Sequence, residues 1–277
     1  MSAALAALRR RRLPVSLVLG SVIVLAMLLA AAAPGLLAPY DPASLDYDAL
    51  QVGPSLAHPF GTDNLGRDVL SRTIWATRID LQIALFSTVV PLVLGTVVGA
   101  LVGYYGGIAD ALFGRVVDLV VTFPFLVLVI AIVAVLGPGL VNMYIAVSSV
   151  GWVFYARLIR SEVLVLRQAD FAAAGRVMGY SAPRIIFRHL LPNAATPLIV
   201  YWMTDMALDI LLGSSLGYLG LGAQPPTAEW GVLVADGKNF MDTAPWITVF
   251  PGIAIVLCGT GLSLLGDGLA DLMNVRR

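Results

Sequence analysis

Four long stretches of this sequence contain no charged side chain, and they restrict its fold more than any other feature. A helix needs about 20 predominantly apolar residues to cross a bilayer, and each stretch is long enough to supply them. Among all 277 residues, 59% are hydrophobic and only 12% are charged, which is far from the composition of soluble proteins. We therefore expect an all-α integral membrane protein. The stretches lie between Arg12 and Asp41, between Asp80 and Asp110, between Asp118 and Arg157, and between Asp242 and Asp267.

The number of spans follows from turns and isolated charges within the apolar regions. Gly137, Pro138 and Gly139 interrupt the longest stretch, so it should hold two spans joined by a tight turn. A further apolar segment contains only two charged residues, Asp205 and Asp209. The sequence thus predicts a transmembrane domain over residues 15–277, preceded by a cytoplasmic segment, 1–14. Six spans are expected, near 15–38, 79–103, 118–136, 140–157, 194–216 and 245–266.

The placement of arginines predicts the orientation of these spans. Of the 17 basic residues, only Arg67, Arg72, Arg78 and Lys238 fall on one side of the predicted membrane. The other 13, which lie near both termini, at Arg115 and from Arg157 to Arg188, fall on the other side, which the positive-inside rule makes cytoplasmic. The first apolar run could instead be a secretory signal. It is longer than the apolar region of a signal, which is about 7 to 15 residues, so we expect it to remain as the first span.

The loop over residues 167–193 reads RQADFAAAGRVMGYSAPRIIFRHLLPN and is polar, although apolar spans lie on either side of it. Phe171, Ala174, Gly175 and Met178 recur at i, i+3, i+4 and i+7, a spacing that predicts one small apolar helix face. This face is available for contact with a partner.

Turn residues in the same loop predict two short helices. Gly179 suits the left-handed end of the first helix, Ser181 can cap a second, and Pro192 should stop it. Arg176 and Arg184 offer charge to acceptors on another protein or to lipid phosphates. From the residues alone, protein docking and an amphipathic connector on anionic lipid are both open.

The loop also resembles the cytoplasmic coupling loop of ABC importer permeases. That family's pattern is two small residues, three others, Gly, and a Leu-Pro pair about a dozen residues later. His189 begins an ending similar to the RHxLPN of the peptide-importer branch. The residues on the pattern are Ala174, Gly175, Gly179, His189, Leu191 and Pro192. The resemblance implies that the loop couples to an ATPase through Asp170, Phe171, Ala174, Gly175, Arg176, Gly179, Arg184 and His189.

Three segments outside the coupling loop extend this resemblance over most of the chain. Residues 58–72 read HPFGTDNLGRDVLSR; taken alone they predict a turn and an interfacial helix capped by Asp63. They are also similar to the segment before the second span in C-type permeases of dipeptide and oligopeptide importers, although Ala76 and Asp80 stand where relatives often have Gly and Ser. Residues 216–231 and 265–273 are similar to later motifs of the same permeases. The candidate outer-face residues are His58, Gly61, Asp63, Gly66, Arg67 and Asp68.

The resemblance implies a fold, a set of partners and a function. The fold is that of a type I ABC importer permease, with six transmembrane helices and cytoplasmic coupling helices. The implied partners are a second homologous permease, one or two ATP-binding cassette ATPases and an extracytoplasmic substrate-binding protein. Together they would import peptides, most often dipeptides or short oligopeptides, across the bacterial cytoplasmic (inner) membrane by alternating access.

Motifs for chemistry within this chain are scarce. The only lysine, Lys238, is followed by Asn239, so the chain lacks the GxxxxGK[ST] loop that binds nucleotide phosphates. Two histidines, predicted on opposite membrane sides, and the single Cys258 cannot form a metal cage or a disulfide. We expect no enzymatic activity, no cofactor and no nucleic-acid partner, and ATP hydrolysis by partner subunits.

Two acidic residues within the fifth predicted span need a separate interpretation. Asp205 and Asp209 are one helical turn apart, and carboxylates at membrane depth usually face an interior surface. They could attract the positive amino end of a peptide or pair with a polar group of the second permease. A rival hypothesis makes them the proton relay of a proton-coupled secondary transporter, which needs no soluble partner.

Overall fold

Every charge-free stretch forms helix in the computed structural model, which describes residues 13–273. The predicted cytoplasmic segment up to residue 12 and the basic residues 276 and 277 lie outside the described residues. The helices are α1 (Val15–Ala32), α2 (Pro34–Leu37), α3 (Val69–Tyr105), α4 (Gly107–Thr122), α5 (Phe125–Leu136), α6 (Leu140–Leu166), α7 (Asp170–Val177), α8 (Ala182–Ile185), α9 (Leu191–Tyr218), α10 (Trp230–Gly237) and α11 (Trp246–Leu272). A π-helical turn, Ile186–Leu190, joins α8 to α9, and a 3₁₀ turn, Lys238–Phe240, follows α10.

Four helical segments are long and apolar enough to cross a membrane, namely Val15–Ala32, Val69–Tyr105, Ala182–Tyr218 and Trp246–Leu272. The pair α4 and α5 is bent by 87° and makes a fifth if it counts as one span. Helix α6 occupies the predicted fourth span and is 27 residues long. It is not among these segments, because Asn142 and two serines lower the mean hydropathy of its apolar run, which ends at Arg157. All six predicted segments are nevertheless helical.

Several of the predicted boundaries are wrong, and α6, for example, ends at Leu166 rather than near 157. Helix α3 begins at Val69 rather than near 79, so only the end of the segment predicted as an interfacial helix is helical. The rest of that segment, residues 58–68, forms turns and an isolated bridge between Thr62 and Asp68. The third predicted span is a bent pair that starts at Gly107 and breaks between Thr122 and Phe125. Pro124 lies at this break, where its missing N–H and its ring prevent a continuous helix.

Glycines allow α3 and α6 to pack with their backbones in contact. An added Cβ on Gly95, Gly99 or Gly103 would meet the backbone of α6 near Ala156 and Arg160. Small residues at this spacing let membrane helices approach closely. In the sequence, glycine recurs every four residues from 95 to 107, a spacing that predicts close packing along the whole run. The last of these, Gly107, faces open space at φ +64° and takes no part in the contact.

The remaining long helices place the middle of α9 inside the protein. Helix α1 packs against α11, with Gly20 lying on the backbone of Leu264 and Leu265. Helix α9 contacts both α11 and α3, and its Ile210 is fully buried in a cluster with Trp230 and neighbouring apolar residues. The acidic pair on α9 is therefore held next to α3 and α6.

Candidate functional site

The loop 167–193 forms the predicted pair of short helices. Helix α7 starts at Asp170, and Gly179 adopts φ +76° just after the helix ends, as its left-handed position requires. Ser181 is extended and precedes α8, although its side chain makes no capping hydrogen bond. The helix-turn-helix prediction is confirmed for this part of the loop.

Pro192 does not stop the second helix, contrary to the prediction. The helical path runs from Ala182 to Tyr218 without a break, and Pro192 lies in the first turn of α9. The preceding π-helical turn shifts the hydrogen-bonding register, so that the N–H of Leu191 donates to the carbonyl of Ile186. Pro192 has no N–H to donate, and the continuous path accommodates it directly after the π-helical turn. The loop is thus directly continuous with the fifth predicted span.

Helix α7 presents apolar side chains to the surroundings. Phe171 and Met178 are 41% and 61% exposed, and Ala174 lies exposed between them. Val177 extends this face with 89% exposure and was not included in the prediction. Gly175 was predicted on this face, which is wrong, since it is buried against the chain's own Tyr180 and Ile185.

Tyr180 holds the two arms of the loop together. The guanidinium of Arg184 lies 3.9 Å from the centroid of the Tyr180 ring, and the His189 ring stacks on it at 5.7 Å. Two of the predicted coupling residues therefore pack within the loop. Tyr180 also lies against Gly175 of α7, so this one side chain contacts both short helices and makes them one unit.

Arginines also join this unit to the end of α3. Nη1 of Arg176 donates to the carbonyl of Arg167 at 3.0 Å. Nη1 of Arg167 in turn donates to the carbonyls of Gly103 and Tyr104, at 2.9 and 3.0 Å. Helix α7 is thereby linked through Arg176 and Arg167 to the end of α3.

The predicted outer-face residues form a buried polar network around Asp63. Its carboxylate accepts hydrogen bonds from Nε of Arg67 and Nη1 of Arg72, both at 2.7 Å. It also accepts from the backbone N–H groups of Leu65 and Arg67. Both guanidinium groups lie within 3.4 Å of Asp236 on α10. The network thus ties the start of α3 to α10.

Asp68, rather than Asp63, caps α3. Its Oδ2 accepts from the backbone N–H and the hydroxyl of Ser71, each at 2.7 Å. Its Oδ1 lies 3.0 Å from Nδ1 of His58, whose ring stacks on Tyr40. The prediction of Asp63 as the helix cap was wrong, because that carboxylate closes the preceding turn.

The glycines of the outer motif fit where no other residue would. Gly61 and Gly66 adopt φ +73° and +75°, and the backbone of Asp46 lies directly against Gly66. Gly61 lies against Trp246 at the start of α11. The six outer-face residues are thus brought together, and most of them are buried.

Two further acidic residues connect α3 to α10, and the resemblance gave them no role. Glu229 caps α10 by accepting from the N–H groups of Gly231 and Val232, at 2.7 and 2.9 Å. Asp80 accepts from the N–H of Trp230 at 3.1 Å. Burial raises the pKa of Glu229. A Glu directly before the Trp-Gly of α10 was a usable capping signal, whereas the contact with Asp80 depends on the tertiary fold.

A cavity of about 410 Å³ lies between α3, α5, α6 and α9, and Asp205 and Asp209 line it. The prediction that both face an interior surface is confirmed. The hydroxyl of Tyr155 donates to Oδ2 of Asp205 at 2.6 Å, and Asp209 is only 5% exposed. Most of the other lining side chains are apolar, including Phe125 and Leu212.

Comparisons with known proteins find a matching family and relatives that align with most of this chain. The family described as "Binding-protein-dependent transport system inner membrane component" matches residues 95–277. The dipeptide transport system permease protein of Alkalihalophilus pseudofirmus is 43% identical over 222 residues, 80% of this chain and 73% of that protein. The glutathione transport system permease protein of Pectobacterium atrosepticum is 41% identical over 239 residues, 86% of this chain and 79% of that protein.

One further relative aligns over more of this chain, and one solved structure has a similar fold. The probable D,D-dipeptide transport system permease protein of Escherichia coli is 40% identical over 257 residues, covering 93% of this chain and 86% of that protein. A chain from the MetNI methionine ABC transporter in inward-facing conformations superposes with a TM-score of 0.58 at 20% identity. This superposition covers 76% of the present chain and 97% of the other, and it shows a shared fold alone.

Proposed function

Because this chain belongs to the family of inner membrane components of binding-protein-dependent transport systems, we propose that it is a permease subunit of an ATP-driven peptide importer. The observation that carries the proposal is the identity of 40% to 43% with relatives named as permeases for dipeptides or glutathione. These substrates are all short peptides. A dipeptide or short oligopeptide is therefore the substrate class that we assign.

We propose that α7 is the surface through which ATP hydrolysis by a partner acts on this subunit. Phe171, Val177 and Met178 form an exposed apolar face, while Asp170 and Arg176 add exposed charges of both signs beside it. Such a face suits a groove in a soluble subunit. The bonds from Arg167 to the end of α3 then convert movement of the ATPase into movement of the spans.

The proposed assembly contains a second homologous permease, one or two ATP-binding cassette ATPases and an extracytoplasmic substrate-binding protein. In this arrangement both termini and the loop 167–193 lie in the cytoplasm, and residues 15–277 form the transmembrane domain. The outer network around Asp63 then faces the side from which the binding protein delivers peptide. Asp205 and Asp209 line the half of the path that this subunit contributes.

The proton-coupled alternative is not favoured, since the matching family works with a binding protein. The two hypotheses differ in what accompanies the chain and in what drives uptake. A secondary transporter would function as a lone polypeptide driven by a proton gradient. The importer requires ATP and soluble partners.

The test is to purify the chain from its native membrane with its partners, reconstitute the complex in liposomes and measure uptake of a radiolabelled dipeptide. We expect uptake to require ATP and the binding protein. Phe171→Glu should release the ATPase, because it introduces a charge on the apolar face of α7. Leu56→Glu is the matched control, since Leu56 is fully exposed on the predicted outer side. Uptake driven by a proton gradient without ATP would contradict the proposal.

A further inference from the structure

The cavity beside α9 contains polar groups for which the protein supplies no partner. Oγ of Ser87 lines it, is buried, and forms no hydrogen bond within residues 13–273. The Asp209 carboxylate also lines it and makes neither a hydrogen bond nor an ion pair in the same part of the chain. Asp205 accepts a single side-chain hydrogen bond, from Tyr155. Buried polar groups normally find partners, so these acceptors are arranged for a group that enters the cavity.

The charges around the cavity determine which kind of group can enter. Two carboxylates line it, and within the described chain neither pairs with a basic side chain. The guanidinium of Arg157 is directed to the ring of Phe154, 5.9 Å from its centroid. A carboxylate at membrane depth is costly without a counter-charge, so the entering group should be a cation. Residues 13–273 contain no group of three or more His, Cys, Asp or Glu side chains able to hold a metal ion.

The remaining walls indicate a cation attached to an organic molecule. Pro91, Phe125 and Leu212 line the cavity together with other apolar residues. Its volume of about 410 Å³ lies within the range of small-molecule pockets. An ammonium group has three N–H donors and no acceptor, which matches a set of carboxylate and hydroxyl oxygens. Every unmodified peptide carries such a group at its amino end.

We propose that this cavity is a binding site for the protonated amino end of a peptide in transit, and this inference rests on the proposed function. Asp209 and Asp205 accept hydrogen bonds from the ammonium group, and Ser87 supplies a further acceptor. The apolar wall contacts the side chain of the first peptide residue without selecting among apolar types. The site therefore recognises what all peptides share and leaves side-chain selection to other components.

The experiment uses the complete importer complex in liposomes, with radiolabelled dipeptide loaded on the binding protein. Asp209→Asn keeps the shape of the side chain and removes its charge. We expect the uptake rate to fall about tenfold, as for loss of one charge-assisted hydrogen bond. ATPase stimulation by the loaded binding protein should remain, so that more ATP is hydrolysed per peptide imported. Asp209→Glu should recover much of the uptake because the charge is restored.

A second variant and a control keep the result specific to the cavity. Ser87→Ala removes a hydroxyl that has no partner in the protein, so folding should be unaffected while uptake falls about threefold. Asp118→Asn changes an exposed carboxylate on α4 outside the cavity and should transport at the normal rate.

Each outcome decides the proposal. Normal uptake by both Asp209→Asn and Ser87→Ala would overturn the binding site and leave the peptide importer intact. Loss of the second permease from the Asp209→Asn complex would also overturn it, since the carboxylate would then pair with that subunit. No dipeptide uptake by the wild-type complex would instead contradict the proposed function, and the binding site with it.

Discussion

At the scale of single residues, the buried charges on the outer side are paired around Asp63, although Nε of Arg72 is buried without a hydrogen-bond partner among residues 13–273. Asp63 is fully buried and accepts from two guanidinium groups and two backbone N–H groups. A buried ion pair is weak evidence for stability by itself, because desolvation offsets much of the attraction. Removal of one partner is costly, since the other charges stay buried without compensation.

Asp63→Ala should therefore destabilise the protein by about 3 kcal/mol, because Arg67 and Arg72 lose their main acceptor. The measurement is thermal unfolding of the purified protein in detergent, followed by tryptophan fluorescence. Asp48→Ala is the control, as Asp48 is an exposed carboxylate in the same outer region. Equal melting temperatures for the two variants would show that the network contributes little.

Sequence patterns predicted residues well where the reason was local. Gly179 was placed correctly because a left-handed backbone after a helix favours glycine. The role of helix cap was assigned to Asp63 instead of Asp68. Both residues precede an apolar helix, and a local pattern does not distinguish them. The contact of Asp80 with the N–H of Trp230 joins residues 150 positions apart, and no local pattern contains it.

At the scale of helices, the packing of α3 on α6 depends on the absence of side chains. Gly99 lies on the backbone of Ala156, and a Cβ there would overlap with it. Backbone atoms cannot rotate away as the end of a flexible side chain can. A side chain at position 99 would therefore force α3 and α6 apart or bend α3.

Gly99→Ala should destabilise the protein by about 1 to 3 kcal/mol, because one methyl group overpacks the contact. Gly114→Ala is a matched control, since Gly114 is also helical but has nothing within 4 Å of an added Cβ. Alanine favours helix over glycine, so this control should be neutral or slightly stabilising. Melting temperatures of the two variants give the comparison, and a loss at Gly114 equal to that at Gly99 would contradict the packing argument.

The turn between α7 and α8 offers a second test at this scale. Gly179 has φ +76° with open space around it, so a substitution there acts through the backbone alone. Gly179→Val should uncouple ATPase activity from uptake, because a β-branched residue disfavours this conformation and shifts α7. Gly179→Asn should retain coupling, as Asn tolerates the left-handed region. Both complexes should remain in the membrane, and equal transport per ATP in both would disprove the prediction.

Helix prediction was most accurate for the position of spans and least accurate for their ends. Apolar runs located all six segments, since the bilayer imposes length and composition directly. The continuation of α3 to Val69 and the helical path through Pro192 were missed. The start of α3 depends on the Asp68 cap. The continuous path through Pro192 depends on a π-helical register shift.

At the scale of the whole molecule, the exposed loop 167–193 and the outer network lie at opposite ends of the long helices. Arg167 bonds to the end of α3 at Gly103 and Tyr104, while Asp68 caps the start of the same helix. Helix α3 is 37 residues long, which at about 1.5 Å per residue is ample to cross a bilayer. One helix therefore connects the proposed ATPase contact with the outer network.

This connection requires that the two ends face different compartments, which chemical labelling can test. Val177→Cys places a thiol at the exposed face of α7, and Leu56→Cys places one in the outer loop. The native Cys258 is buried and should not react with a membrane-impermeant maleimide. In intact spheroplasts we expect labelling of Leu56→Cys alone. In inverted vesicles from which the docked ATPase has been stripped, we expect labelling of Val177→Cys alone. Labelling of Val177→Cys from outside would reverse the orientation and remove the ATPase contact from α7, because ATP is supplied in the cytoplasm.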